Sequence, residues 1–226
     1  MENMKSEEIM NAAAKIFRKK GFHHATISEI AKEVDIQKGS LYHYFKGKEE
    51  LLYKIILSAL QLYVESLSNI DVYGKPVEDV IKNAILAHIT PIDLHFDNIY
   101  VFINEIDALS TEHKAEINRE LKNYESMWIR ILEKGKASGV FRRDQDSKII
   151  MLSIFGICNW TLRWYKPEGK YSARELGKMY AQFVLNGIKS NLTVSAEGEG
   201  VNIFGSVPPG AEARDQVITA TFSDVT

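Results

Sequence analysis

The chain of 226 residues carries one cysteine, Cys158, which excludes an internal disulfide and suits a reducing compartment. Set among Phe155, Ile157 and Trp160, that thiol reads as buried and structural rather than reactive. No apolar run approaches the roughly 20 residues that a membrane span needs, and the polar opening from Met1 to Glu8 is unlike a signal peptide. These absences predict a soluble, cytoplasmic protein. Catalytic signatures are lacking too: there is no Gly-x-Ser-x-Gly elbow, no Gly-x-x-x-x-Gly-Lys phosphate loop and no His-Glu-x-x-His pair. The nearest approach to a metal set is His88, His95 and Asp97 with Asp93, where Pro91 breaks the helical register. The expectation is therefore no enzyme, no cofactor and no metal. Net charge is only -2, so the chain as a whole does not advertise an anionic partner.

Its charge is nonetheless unevenly placed. Residues 15–48 hold Lys15, Arg18, Lys19, Lys20, Lys32, Lys38, Lys46 and Lys48 against Glu29, Glu33 and Asp35. A local basic excess on a nearly neutral chain is what phosphate contact requires.

Helical periodicity runs to about residue 190. Ile9, Ala12, Ala13, Ile16 and Phe17 form one buried face, and Gly21 stops that helix behind Lys19 and Lys20. Thr26 and Glu29 make a capping box that starts a short helix. Asp35-Ile36-Gln37 turns the chain into another from Lys38 to Phe45, and a long helix carries Leu51, Leu52, Ile55, Ile56, Ala59, Leu62 and Tyr63 inward. Further helices are expected after Pro76, over Asp97–Leu109, over Thr111–Ser138, from the Asp146 cap to about Tyr165, and behind the Ser172/Glu175 capping box. Beyond residue 190, Gly198, Gly200, Gly205, Pro208, Pro209 and Gly210 punctuate short β-favouring runs, which fit either a disordered tail or a β-hairpin.

Two short helices joined by a tight turn form a helix-turn-helix, whose second helix must enter a major groove about 12 Å wide. Gly39 and Ser40 keep its first turn slim, Leu41 and Phe45 hold it from behind, and Tyr42, His43 and Tyr44 lie on faces free to point outward. The runs Thr26-Ile27-Ser28-Glu29-Ile30-Ala31 and Lys38-Gly39-Ser40-Leu41-Tyr42-His43-Tyr44-Phe45-Lys46-Gly47-Lys48-Glu49-Glu50-Leu51, with Ala13, Phe17 and Gly21-Phe22 ahead of them, closely resemble the signature of the TetR (tetracycline-repressor) family. The resemblance implies an all-α protein, with a DNA-binding domain over residues 1–47 and a helical ligand-binding and dimerisation domain over 48–190, and composition adds an acidic tail over 191–226. It implies operator contact by Thr26, Ser28, Lys38, Gly39, Ser40, Tyr42, His43, Tyr44 and Lys48. It also implies a homodimer through helices at about 146–165 and 172–190, where the first reads as apolar on nearly every side.

The segment from Ile154 to Gly169 is similar to that of TetR-type repressors of fatty-acid or sterol degradation, which sense acyl-CoA thioesters. Phe96, Tyr100, Phe102, Tyr124, Trp128, Phe155, Trp160 and Trp164 are candidates for an apolar slot, Arg163 for a phosphate and Asn159 for a thioester or amide. The alternative is a DNA-binding regulator whose central domain binds a protein partner or another hydrophobic effector.

Overall fold

That periodicity becomes nine α-helices among residues 2–190, the part of the chain that the computed structural model describes. They are α1 (Glu2–Lys20), α2 (Ile27–Glu33), α3 (Lys38–Tyr44), α4 (Lys48–Ser68), α5 (Val77–Ile89), α6 (Ile92–Glu105), α7 (Thr111–Ala137), α8 (Ser147–Trp160) and α9 (Ala173–Ile188). The expected tail of residues 191–226 lies outside the described residues.

Helix boundaries follow local chemistry. Gly21, at φ 78°, takes the left-handed conformation that ends α1. The Thr26 hydroxyl accepts from the Glu29 amide while the Glu29 carboxylate accepts from the Thr26 amide, completing the capping box on α2. Asp35 then stands at φ 52°, and the Asp35 and Ile36 amides donate back to the Lys32 and Ala31 carbonyls. This Schellman turn puts an aspartate where glycine is usual, and it is the turn that sets α3 against α2.

α4 is the spine. Leu51, Leu52, Ile55, Ile56 and Leu60 are fully buried, and the helix packs on α1, α5, α6 and α7. Burial of each such side chain stabilises the fold by about 1.5–3 kcal/mol before entropy is counted. With 21 residues and a mean hydropathy of 1.2, α4 has the length and composition to cross a membrane, which the sequence reading did not anticipate. Its apolar residues are used instead as the core between head and body.

α8 is apolar on its core face and on its outer face, as its sequence predicts. Asp146 caps it as predicted, accepting from the Lys148 and Ile149 amides. Yet the helix is not buried all round: Ile150, Met151, Ile154 and Cys158 face the core, while Ile149, Leu152 and Trp160 stand exposed. On α9, Met179 and Phe183 are likewise exposed.

Candidate nucleic-acid interface and effector core

α3 sits on the head with Leu41 and Phe45 buried, and with Lys38, Gly39, Tyr42 and His43 exposed. Tyr42 is 48% exposed, so its ring is open to contact from outside the head. Ser40 is half-buried, and Tyr44 is half-buried against the core, so the two make a shoulder rather than a tip. No side chain caps the start of α3. Thr26 and Ser28 are exposed at the head of α2. These residues share the surface that the helix-turn-helix presents.

Half of the basic cluster has internal work. Lys15 pairs with Glu33 at 2.8 Å, Lys20 pairs with Glu29, and both tie α1 to α2. Arg18 pairs with Asp97 on α6. The Lys48 ammonium donates to the carbonyls of Phe22, His23 and Ala25 at 2.7, 3.2 and 2.8 Å, and lies 4.5 Å from the Phe22 ring centre. An ammonium has three donors, so a phosphate contact from Lys48 must displace one of these. Lys19, Lys32, Lys38 and Lys46 are exposed and form no ion pair among the described residues.

The head is joined to the body along two lines. Arg18 to Asp97 and Phe22 N to Glu105 Oε1 (3.3 Å) connect it to α6. At the start of α4, the Glu49 carboxylate accepts from the Ser110 amide and from His113, both at 2.9 Å, and Tyr53 stacks on His113 with ring centres 3.9 Å apart. The first turn of α4 thus bonds the Phe22–Ala25 loop through Lys48 and the start of α7 through Glu49 and Tyr53.

In the body, four of the proposed effector residues converge on a histidine that sequence reasoning had considered only as a metal ligand. His88 is stacked between Tyr63 (4.7 Å) and Phe155 (4.8 Å). The Tyr124 hydroxyl lies 2.8 Å from its Nδ1, and its Nε2 lies 3.3 Å from Asn159 Oδ1. Asn159 Oδ1 only accepts, so this network assigns the neutral Nε2–H form, with Tyr124 donating to Nδ1. Burial pushes the imidazole down to about 4, against the Asn159 hydrogen bond, and burial drives the Tyr124 phenol upward. Trp128 stands edge-on to His88 and Phe155, and its fully buried Nε1 has no acceptor among the described residues. Buried Cys158 is pushed up to about 12, an inert thiol at neutral pH.

The other proposed effector residues lie apart from this cage or at its margin. Phe102 adjoins Tyr63 at 6.1 Å, whereas Phe96 packs beside Arg18 at the head junction and Tyr100 is half-buried on the same helix. Trp160 and Trp164 are 64% and 48% exposed, and Arg163 lies over the Trp160 ring. Trp160 ends α8, and Arg163 and Trp164 follow it, so this part of the candidate slot lies apart from the cage. His95 is exposed and Asp97 is held by Arg18, so neither joins His88. His88 itself was obscured because its role depends on Tyr63, Tyr124 and Phe155, which are distant in sequence.

Two family profiles match: "Bacterial regulatory proteins, tetR family" over residues 9–55 and "Tetracyclin repressor-like, C-terminal domain" over 74–188. The chain is 30% identical over 184 residues to the HTH-type transcriptional repressor KstR2 of Mycolicibacterium smegmatis, covering 80% of this chain and 89% of that one. It is 25% identical to the fatty acid metabolism regulator protein of Bacillus subtilis, covering 80% and 94%. The solved structure of the ketosteroid transcriptional regulator KstR2 of Mycobacterium tuberculosis superposes with a TM-score of 0.77 at 27% identity, over 82% of this chain and 95% of that one.

Proposed function

Because the chain belongs to the TetR family of bacterial regulatory proteins, DNA-binding regulators and not enzymes, we propose that it is a cytoplasmic, homodimeric repressor released from its operator by an acyl-CoA of lipid degradation. The observation that carries the DNA half is the exposed face of α3, where Lys38, Gly39, Tyr42 and His43 stand out from a head whose other face is core. Those residues, with Thr26, Ser28, Ser40 and the edge of Tyr44, meet the operator, while Lys48 clasps the loop that positions α2. Reading two successive major grooves requires two heads about 34–36 Å apart, hence a dimer. The exposed Ile149, Leu152, Trp160, Met179 and Phe183 on α8 and α9 support that interface, since large apolar side chains left in solvent on two packed helices suit a contact.

The effector half draws support from the names of the relatives, which concern ketosteroid and fatty acid metabolism, and from the similarity of the α8 segment to acyl-CoA sensors. Release follows if the effector favours a conformation in which α4 has moved, because Lys48 and Glu49 bind that helix to the head and to α7. The exposed Trp160 and Trp164 favour one alternative, a protein partner on that face. Binding to the DNA upstream of the protein's own gene, measured with and without a panel of acyl-CoA thioesters, tests the reading. Specific binding relieved by one of them supports it; saturating thioester that leaves affinity unchanged refutes the effector half.

A further inference from the structure

Residues 149–162, most of α8 and the start of the turn after it, carry no charged side chain, although one side of the helix faces solvent. The exposed positions Ile149, Leu152, Ser153, Gly156 and Trp160 fall on one helix face. α9 presents a second exposed row, Met179, Phe183 and Gly187. Between the rows lies an open apolar groove of about 750 Å³, lined by Ile149, Ser153, Ile157, Phe183 and Gly187. Phe183, on its wall, is 69% exposed. Both glycines are open: a Cβ at Gly156 or Gly187 would meet nothing within 4 Å, whereas one at Gly135 or Gly177 would strike a neighbour. Glycine in mid-helix weakens it relative to alanine, and nothing inside the protomer requires one at Gly156. Bare backbone on an apolar face permits the close approach of another helix. By their sizes Ile149, Leu152, Trp160, Met179 and Phe183 leave roughly 600 Å² in solvent, most of the ~800 Å² that each partner of a standard interface buries.

We propose that Gly156 and Gly187 form the notch, and Phe183 the knob, by which α8 and α9 select a second copy of this chain. In a two-fold pair each surface meets itself, so one face must carry both the projection and the recess that receives it. This face does. The Phe183 ring of one copy seats in the other's groove between Ser153 and Gly187, and Gly156 lets the two α8 helices cross at close range. No charge lies on either row, so shape alone fixes the register, and a chain with a larger side chain at either notch is turned away. Register matters to function, because the same face sets the spacing of the two heads on the operator. The assignment rests on the homodimer proposed above and adds what makes the pair homotypic.

Sedimentation of the full chain, alone and mixed with a size-tagged copy, tests the notch, with helical circular dichroism as the check on folding. Wild type is expected to run as a dimer. Gly156→Leu, Gly187→Leu and Phe183→Ala are each expected to keep the helical signal and to weaken dimerisation about tenfold or more, the loss of one well-packed contact. Where Gly156→Leu loses that signal, Gly156→Ala, the stronger helix former, takes its place. In a refolded equal mixture of tagged wild type and Gly156→Leu, hybrid dimers are expected well below the share of random pairing. Wild-type dimerisation in all three variants overturns the notch and leaves the homodimer standing. Hybrids at the random share overturn the selection of like by like. A wild type that stays monomeric at the concentrations at which it binds its operator overturns the homodimer together with the notch.

Discussion

In the head, Leu41 and Phe45 are buried and Tyr42 and His43 stand beside them in solvent; in the body, Tyr124, Trp128 and His88 are all buried, with Tyr124 bonded to His88 and Trp128 edge-on to both. The same residue types thus serve two ends. An aromatic on a short helix with an exposed face is available to a partner, and changing it should alter binding while the fold persists. An aromatic in the cage holds four helices together, and changing it should alter the fold first. Cations divide in the same way: Lys38 and Lys46 are free on the head, whereas Lys15, Lys20 and Lys48 are structural.

The largest expected effect lies in the body. His88→Ala opens a cavity and leaves the Tyr124 hydroxyl and the Asn159 carbonyl without their partner, a loss of roughly 2–5 kcal/mol in denaturant unfolding. The wild type carries the matching pH signature. His88 titrates at about 4 when folded and near 6.5 when unfolded, so acid favours the unfolded chain. Its contribution is intact above pH 6.5 and is lost by about 3 kcal/mol as pH falls toward 4. An unfolding free energy with no His88-dependent slope in that window would remove the buried neutral imidazole from the account.

Tyr42→Ala comes next and should break the symmetry between the regions. Operator affinity is expected to fall about ten- to hundredfold, the worth of a base contact, with melting temperature and dimer mass unchanged. Lys48→Ala sharpens the division of the cations. As a clasp on the loop from Phe22 to Ala25, it is expected to lower stability by roughly 1–3 kcal/mol and to leave the salt slope of operator binding intact. Unchanged stability with a slope reduced by about one would make it a phosphate contact instead. Thr26→Ala, which removes one side of the capping box, should cost about 1 kcal/mol in thermal unfolding, the smallest of these effects.

The contrast also explains what the sequence made legible. Gly21, the Thr26/Glu29 box, the Asp146 cap and the Ser172/Glu175 box are read within a few residues of themselves, and all four cap helices in the structure. The helix-turn-helix is compact in sequence for the same reason. The body is assembled from distant segments, so its particulars escaped. Gly135 is required because a Cβ there would lie 2.0 Å from the Phe141 ring, and Gly177 because α9 approaches Ile89 and Leu86 of α5. Nothing local distinguishes either glycine from a weak helix residue. Hydrophobicity marked α8 as apolar but not which of its faces meets the core. Phe96, Trp160 and Arg163 were grouped by chemistry, and topology keeps Arg163 over Trp160 but sets Phe96 beside Arg18 at the head junction.

The central claim is that one helix couples an effector in the body to the position of the head. Spin labels on His24→Cys, an exposed head position, measure it directly by pulsed dipolar spectroscopy, with buried Cys158 left unlabelled. The account predicts one head-to-head distance distribution in the free dimer and a displaced one when the acyl-CoA that relieves operator binding is added. A distribution that stays in place while operator binding is lost would contradict it.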